Sequence, residues 1–222
     1  MKIKQPIILC VSKRFLPIAL NCVESIGASV IGNIGTTPLV DANELGLAHI
    51  DFEHDAVQSF WQQNTSQMAL PRVFIMLEPA DDQLDLPSAI DTFYSWHFDC
   101  VTFVHSKASQ NSGARLAAGC VVLQNSSLQP LSDVGRGCLI MNDCYIGHHS
   151  TLESNVMIDS YAKVCSQVRI GKNTSIGQEA IIRDGISIGA NCRIAPGAVI
   201  TKSTNESTCY GPGLNNLLFS NL

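Results

Sequence analysis

Two adjacent histidines, His148 and His149, are the strongest candidates for chemistry in this 222-residue sequence. They lie in the segment GHHSTL at residues 147–152, two and three positions after Ile146. A neutral imidazole can accept a proton near neutral pH, so a histidine here suits the transfer of an acyl group to an attacking amine. The pair therefore indicates a general base, and the alternative without a function is a solvated turn.

A metal site is the second kind of chemistry that histidines offer. Zinc is held by three or four protein ligands, and here the adjacent pair has no third histidine in its own region. Neighbouring side chains usually point apart, and His105 falls outside the regular pattern described below. We therefore expect no metal ion at these residues.

A six-residue period surrounds the pair and predicts the structure that positions it. Every sixth residue from Leu116 to Ile200 is Leu, Ile or Val, and the fourth residue after each is usually small or β-branched. This is the pattern of a hexapeptide repeat, in which three hexads form one triangular coil of about 18 residues. The aliphatic residues fill the interior, so we expect both histidines at an outward-facing corner. The aliphatic series is Leu116, Val122, Leu128, Val134, Ile140, Ile146, Leu152, Ile158, Val164, Ile170, Ile176, Ile182, Ile188, Ile194 and Ile200.

The nine cysteines fit a reducing compartment. They show neither C-x-x-C spacing nor a disulfide framework. Four of them occupy the small interior position of a hexad, where we expect buried structural thiols: Cys120, Cys138, Cys144 and Cys192. The apolar run near the N-terminus is shorter than a signal-peptide core, and no stretch approaches membrane-spanning length. We expect a cytoplasmic protein without a membrane segment.

The first hundred residues have a different pattern, in which apolar runs alternate with helical periods. They predict a small parallel α/β domain over residues 1–104, followed by the solenoid over residues 105–222. The polar segment HSKASQNS at 105–112 marks the boundary. The predicted strands are 7–11, 28–31, 73–77 and 100–104, and the predicted helices are 15–26, 55–63 and 88–96.

Charge is distributed unevenly between the two parts. The sequence carries a net charge of -5, and its acidic residues are concentrated in the first 104 residues. A pI near 5.6 argues against general binding to nucleic acid. The mildly basic second part leaves room for one anionic ligand.

The sequence resembles bacterial acyl-CoA-dependent sugar N-acetyltransferases, such as the bacillosamine N-acetyltransferases, and their sialic-acid O-acetyltransferase relatives. The resemblance covers nearly the whole chain and is carried by the α/β half and by four segments. It implies a small Rossmann-like domain followed by a left-handed parallel β-helix that forms homotrimers. The four segments are FVHSKAS at 103–109, YIGHHSTL at 145–152, RIGKNTSIG at 169–177 and CRIAPGAVITKS at 192–203.

The resemblance also implies roles for individual residues. The family's general base falls on His148, and the acid that usually follows it falls on His149, which becomes a possible orienter of the base. Asp143 and Asp159 are candidates to replace that acid, from this chain or across a trimer. A second family histidine near the thioester falls on Met157.

Ligand-binding residues follow from the same resemblance. CoA is expected on the outer face between subunits, at Met157, Gln178 and Pro196. The glycine-rich turn that normally admits a nucleotide is CVSKRF here, which lacks glycine, and Asn33 replaces an acid near the second strand. The expected CoA-phosphate contacts are Lys172, Arg183, Arg193 and Lys202, and the expected acceptor contacts are Ser12, Lys13, Arg14 and Asn33.

The implied function is an acetyl-CoA-dependent N-acetyltransferase acting by direct transfer on an amino sugar, with a nucleotide-linked amino-dideoxy sugar of glycan biosynthesis as the leading acceptor. Two alternatives remain open. One is O-acetylation of a sialic acid or another sugar hydroxyl, and the other is a non-catalytic trimeric hexapeptide scaffold.

Overall fold

A computed structural model describes residues 5–35, 46–65, 71–77 and 86–211 of the chain. The chain divides into two compact units, Met1–Val101 and Thr102–Leu222. The second unit thus begins three residues before the boundary expected after residue 104. The reason is that Phe103 and Val104 pair with Val121 and Val122 and so belong to the solenoid.

The first unit contains a five-stranded parallel sheet with the strand order β3-β2-β1-β4-β5. A short 3-10 helix, Lys13–Phe15, separates β1 from α1. None of the helices in the described parts of the chain is long and apolar enough to cross a membrane. The strands are β1 Pro6–Val11, β2 Ser29–Gly35, β3 His49–Asp51, β4 Arg72–Met76 and β5 Asp99–Cys100, and the helices are α1 Leu16–Ser25, α2 His54–Asn64 and α3 Leu86–Ser95.

The apolar run of β1 is explained by its central place in the sheet. Ile7, Ile8 and Leu9 are all fully buried, as expected for a parallel strand covered on both faces. One face packs on a core that includes Val57 of α2 and Phe93 of α3. The sequence pattern therefore located the central strands and the three helices to within a few residues.

Two features of this unit differ from the sequence prediction. Strand β3 was not predicted, because three residues are too short to show alternation. The predicted strand 100–104 is in fact two strands, Asp99–Cys100 in this sheet and Phe103–Val104 in the solenoid. An apolar run alone does not reveal that its two ends pair with different sheets.

The second unit is a solenoid with three parallel sheets, each built from two-residue strands spaced 18 residues apart. We call these sheets the first, second and third faces, in the order in which the chain visits them. The first face holds β6 Phe103–Val104, β9 Val121–Val122, β12 Leu139–Ile140, β15 Met157–Ile158, β18 Ser175–Ile176, β21 Arg193–Ile194 and β23 Cys209–Tyr210. The second holds β7 Ser109–Gln110, β10 Ser127–Leu128, β13 Tyr145–Ile146, β16 Lys163–Val164, β19 Ile181–Ile182 and β22 Val199–Ile200. The third holds β8 Arg115–Leu116, β11 Asp133–Val134, β14 Thr151–Leu152, β17 Arg169–Ile170 and β20 Ser187–Ile188.

The interior of the solenoid is filled as the six-residue period predicts. Ile146, Ile158 and Ile170 are fully buried, and so is the small residue at the fourth position after each aliphatic. At two of these positions, Ser126 and Ser150, the serine hydroxyl links two coils. Ser150 Oγ donates to Cys165 O at 2.8 Å and accepts from Val168 N at 3.1 Å. The hydroxyl thus gives hydrogen-bond partners to backbone groups that the apolar interior would leave without one.

Buried thiols occupy the same interior position, as expected from the sequence. The Cys144 Sγ atom lies 3.1 Å from Asp159 O, to which it donates, and burial raises the pKa of this thiol to about 12. Burial also raises the pKa of Cys138. These thiols stay protonated at neutral pH and serve as packing groups.

Fifteen corners each contain one residue with a left-handed backbone, three positions after the second residue of the preceding strand. Its φ lies between 55° and 73° in these corners. This conformation turns its N–H toward the preceding coil, as in the bond from Asn155 N to Arg136 O at 2.8 Å. The residues at this position are Gly113, Gly119, Asn125, Leu131, Gly137, Asp143, His149, Asn155, Tyr161, Gln167, Asn173, Glu179, Gly185, Asn191 and Gly197.

Two glycines in this unit are expected to respond oppositely to substitution. A Cβ at Gly135 would lie 2.7 Å from the backbone carbon of Glu153, and no side-chain rotation can relieve that contact. Gly135→Ala should therefore lower the free energy of unfolding by about 1–3 kcal/mol. At Gly185 the backbone is left-handed and the space for a Cβ is empty, and asparagine tolerates this conformation. Gly185→Asn should therefore change the free energy of unfolding by less than about 1 kcal/mol. Urea denaturation of the two variants measures the difference, and equal losses would contradict this account of the corners.

Candidate functional site

His148 and His149 lie on the corner between the second and third faces, between strands β13 and β14. The backbone of both residues is fixed by neighbouring coils. His149 N donates to Pro130 O at 3.2 Å, and His148 O accepts from Gln167 N at 2.9 Å. Both side chains are exposed, as the hexad position predicted.

The two imidazoles converge on each other. Their Nδ1 atoms lie 3.0 Å apart and form a hydrogen bond, and the ring planes are nearly perpendicular at 87°. The sequence argument that neighbouring side chains point apart is wrong for this pair. His149 has a left-handed backbone with φ 56°, which swings its side chain back toward His148.

The two acids considered as partners of His148 are engaged elsewhere in this chain. Asp143 and Asp159 lie on the corner between the first and second faces. Asp143 Oδ1 accepts from Asn125 Nδ2 at 3.1 Å, and Asp159 Oδ1 accepts from Ser160 N at 2.7 Å. The ring nitrogen of His148 contacts His149 instead.

The three residues expected to contact CoA are partly brought together. Gln178 and Pro196 are both exposed and stand on successive coils of the corner between the first and second faces, where Gly197 N donates to Gln178 O at 2.8 Å. A Cβ at Gly177 would lie 2.6 Å from Pro196 N, so this column is tightly stacked. Met157 belongs to β15 on the first face and is only 7% exposed.

The second face separates this column from the histidine pair. Strands β16 and β19 run between the corner that carries Gln178 and the corner that carries the histidines. The two groups of candidate residues therefore lie on two different edges of the solenoid in a single chain.

The four basic residues expected at CoA phosphates are all exposed but do not form one cluster. Arg183 and Lys202 follow strands β19 and β22 of the second face, while Arg193 starts β21 of the first face. Lys172 lies on the corner between the third and first faces, and its backbone N donates to Glu153 Oε2 at 3.0 Å. Arg183 and Lys202 thus share the histidine edge of the solenoid.

In the first unit, the turn after β1 leads directly into the 3-10 helix. Ser12 is buried, its N donates to Met76 O at 3.0 Å, and its O accepts from Phe15 N at 2.9 Å. Lys13 and Arg14 are exposed, and the Arg14 guanidinium lies 5.5 Å from the centroid of the Phe15 ring. The Ser12 amide is therefore already used within the first unit.

Asn33 lies on β2 and is 1% exposed, with its Oδ1 buried and without a hydrogen-bond partner. Its register neighbour on β3 is His49, whose Nε2 lies 3.4 Å from Asp51 Oδ1. Sequence reasoning missed His49 because it missed the strand that carries it. A buried amide beside an imidazole is a polar feature in an otherwise apolar sheet.

Within the residues that the structure describes, no three His, Cys, Asp or Glu side chains are grouped closely enough to hold an ion.

Comparison with known proteins gives a family match within the solenoid. Residues 167–202 match the bacterial transferase hexapeptide repeat, described as six repeats. A Chlamydia pneumoniae acyl-[acyl-carrier-protein]–UDP-N-acetylglucosamine O-acyltransferase is 32% identical over 103 residues, which are 41% of this chain and 37% of that protein. The match therefore spans well under half the length of this relative.

Solved structures match the fold over nearly the whole chain. A variant of perosamine N-acetyltransferase from Caulobacter crescentus, in complex with CoA and GDP-perosamine, has a TM-score of 0.77 at 17% identity and covers 92% of each chain. The acetyltransferase domain of PglB from Neisseria gonorrhoeae, in complex with acetyl coenzyme A, has a TM-score of 0.76 at 16% identity, over 93% of this chain and 96% of that one. The repeat match and these structures confirm the hexapeptide repeats and the fold that the resemblance implies.

The left-handed backbone at residue 149 makes a prediction about stability. Asparagine occupies the equivalent position in four other corners of this chain, whereas a β-branched residue is strongly disfavoured there. We expect His149→Asn to change the free energy of unfolding by less than about 1 kcal/mol and His149→Val to lower it by about 1–2 kcal/mol. Thermal or urea unfolding checks this, and a His149→Val variant as stable as His149→Asn would contradict the backbone assignment.

Proposed function

We propose that this chain, whose repeats are those of the bacterial transferase hexapeptide family, is an acetyl-CoA-dependent N-acetyltransferase that acts on the amino group of a nucleotide-linked sugar in the cytoplasm. The observation that carries the proposal is the exposed imidazole of His148, fixed on a solenoid corner within a fold shared with sugar N-acetyltransferases. The Rossmann-like character of the first unit and the left-handed sense of the coil belong to the same proposal.

The reaction needs only one proton acceptor from the protein. The amine nitrogen forms a bond to the acetyl carbonyl carbon, the bond from that carbon to sulfur breaks, and the sulfur leaves as a thiolate. His148 takes the proton that the amine loses and returns it to the thiolate. General-base assistance of this kind and the positioning of the two reactants supply the rate enhancement, and no acyl-enzyme is required.

Residues for the two substrates lie in the two units. Gln178 and Pro196 offer an exposed, closely stacked edge for the CoA arm, and Arg183 and Lys202 can pair with its phosphates. For the acceptor nucleotide, Lys13 and Arg14 supply charge. The Oδ1 of Asn33 is buried without a hydrogen-bond partner, so it has to be uncovered before it can accept from a hydroxyl or amide donor of the acceptor. GDP-perosamine in the similar Caulobacter structure supports a nucleotide-linked amino sugar as the acceptor class.

The separation of the two groups of candidate residues supports a homotrimer with active sites between subunits. His148 and the Gln178 column occupy different edges of one chain, and a second copy can bring its CoA edge to the histidine edge. The second face between them exposes apolar surface, including Tyr145 at 36% and Val199 at 54%. Exposed apolar side chains aligned on one face favour contact with another protein surface.

Sugar O-acylation is the second candidate function. It is favoured by the 32% identity, over 103 residues, with the O-acyltransferase from Chlamydia pneumoniae. A hydroxyl is a poorer nucleophile than an amine and depends more on a strong base. His148 has an imidazole rather than a carboxylate beside it, and this favours the amine acceptor.

The first test is acetyl-CoA consumption, followed as thiol release, with a panel of UDP-, GDP- and dTDP-linked amino sugars and matched sugars with a hydroxyl in place of the amine. We expect turnover of an amino sugar by the wild type and a loss of about 100-fold or more in His148→Ala. Asp184→Asn, on the same edge, is the matched control and should retain its rate.

The outcomes separate the candidates. Turnover of only the hydroxyl sugars would replace N-acetylation by O-acetylation. If no acceptor is used and millimolar acetyl-CoA does not raise the melting temperature, the transferase proposal fails and the scaffold remains, because a ligand of the folded state must stabilise it.

Subunit mixing tests the shared site. His148→Ala and Gln178→Trp are each expected to be inactive, the second because the bulky ring blocks the CoA edge. In trimers assembled randomly from both variants, about a quarter of the interfaces combine an intact histidine edge with an intact CoA edge, so about a quarter of wild-type activity should return. Differently tagged chains allow the mixed trimers to be purified. If purified mixed trimers stay inactive, each site lies within one chain.

A further inference from the structure

The contact between the two histidines constrains where their hydrogens are. The atoms that meet, 3.0 Å apart, are the Nδ1 atoms of both rings. A hydrogen bond between them needs one Nδ1 that carries a hydrogen and one that offers a lone pair. At least one of the two imidazoles must therefore be neutral for the contact to exist.

Only one direction of this bond is compatible with a base at His148. If His148 Nδ1 donates to His149 Nδ1, the lone pair of His148 is on Nε2, the ring atom that does not contact His149. If the bond runs the other way, Nε2 of His148 carries the hydrogen and cannot accept another. The productive arrangement thus requires a neutral His149 that accepts at Nδ1.

We infer that His149 is a positioning residue that selects the proton-accepting tautomer of His148, so that activity requires both imidazoles to be neutral. This inference rests on the proposed function of His148. When His148 takes the amine proton at Nε2, its Nδ1–H still donates to His149 Nδ1, which stabilises the new cation. A carboxylate would do the same, but it stays ionised in mild acid, whereas an imidazole does not.

The neighbouring coils and strands that the structure describes present no group that takes the place of His149 as the hydrogen-bond partner of the His148 ring. The coil below presents Pro130 and Leu131, and the coil above presents Ser166 and Gln167, none of which titrates. The strands that flank the pair contribute Tyr145 and Thr151 at their nearest ends. The titratable and charged groups of the adjoining coils and of the strands paired with the flanking ones are Asp133, Lys163, Cys165, Arg169, Arg183 and Asp184. The Asp184 carboxylate accepts from Ser166 N at 2.9 Å, which holds it on the coil above.

The consequence is a distinctive acid limb of the pH profile. A proton on either His148 or His149 removes the active state. The slope of log kcat/KM against pH should therefore rise above one and approach two in the acid range where both rings are protonated. By contrast, a histidine base beside an acceptor that does not gain a proton in this range loses activity by binding one proton, which gives a slope of one.

The test compares wild type with His149→Asp, His149→Asn and His149→Gly between about pH 5 and about pH 8. All three replacements suit the left-handed backbone, since Asp143, Asn125 and Gly137 occupy the same position in other corners. We expect His149→Asp and His149→Asn to be active, to show a slope of one in log kcat/KM against pH, and to retain more of their neutral-pH rate in acid than the wild type does. Glycine should lose about 10-fold or more at neutral pH, because His148 then has no orienting partner.

Asp184→Asn is the control for other charges on this edge and should keep the wild-type slope. A slope of one in the wild type, unchanged in His149→Asp and His149→Asn, would overturn the inference. A purely structural role for His149 would leave the slope unaltered in all variants.

A second measurement does not depend on knowing the acceptor. Nitrogen-15 NMR of histidine-labelled protein, assigned with His148→Gln and His149→Asn, reports which ring nitrogen carries hydrogen. Near neutral pH we expect hydrogen on Nδ1 of His148 and on Nε2 of His149. The opposite pair of tautomers would reject the inference even if acetyl transfer is observed, and the expected pair would uphold it even if no acceptor has been found.

Discussion

The ladder of backbone hydrogen bonds between successive coils is the constraint on which the solenoid depends. It repeats every 18 residues, as in the pairing of Ile146 with Val164, and it is maintained only if the chain turns by the same amount at every corner. Fifteen corners make that turn with one left-handed residue, whichever side chain that residue carries. The interior positions are then reserved for aliphatic and small residues. Chemistry is confined to the corners and the outward sides of the faces.

This constraint explains why two adjacent histidines can act together. In regular strands neighbouring side chains point to opposite sides, but His148 and His149 differ in backbone conformation, because only His149 occupies the left-handed position. The rings meet at their Nδ1 atoms as a result. Coil-to-coil bonds to Pro130 O and from Gln167 N hold the backbone of both residues. The fold therefore fixes the geometry of the pair without any interior side chain contributing to it.

The sequence was informative where the structure is periodic and silent where contacts depend on conformation. The spacing of Ile146, Ile158 and Ile170 predicted three-sided coils and outward histidines, because each hexad repeats the same local environment. Strand β3 and the division of residues 100–104 were missed, since two or three residues carry no periodicity. The imidazole contact was missed because it follows from the positive φ of His149. Glycine or asparagine in a sequence indicates a positive φ, whereas histidine does not.

The exposure of the histidine pair links its chemistry to assembly. In a single chain both rings face water, where a hydrogen bond between neutral groups contributes little because water competes for each of them. In the proposed trimer, the CoA edge of a neighbouring subunit covers this corner and removes that water. The bond between His148 and His149 then acts in a less polar setting, where it orients the base and stabilises the transferred proton more strongly. On this view the partner subunit supplies more than a CoA-binding surface. It also excludes water from the two imidazoles, so that the pair can do the work of a histidine paired with a carboxylate.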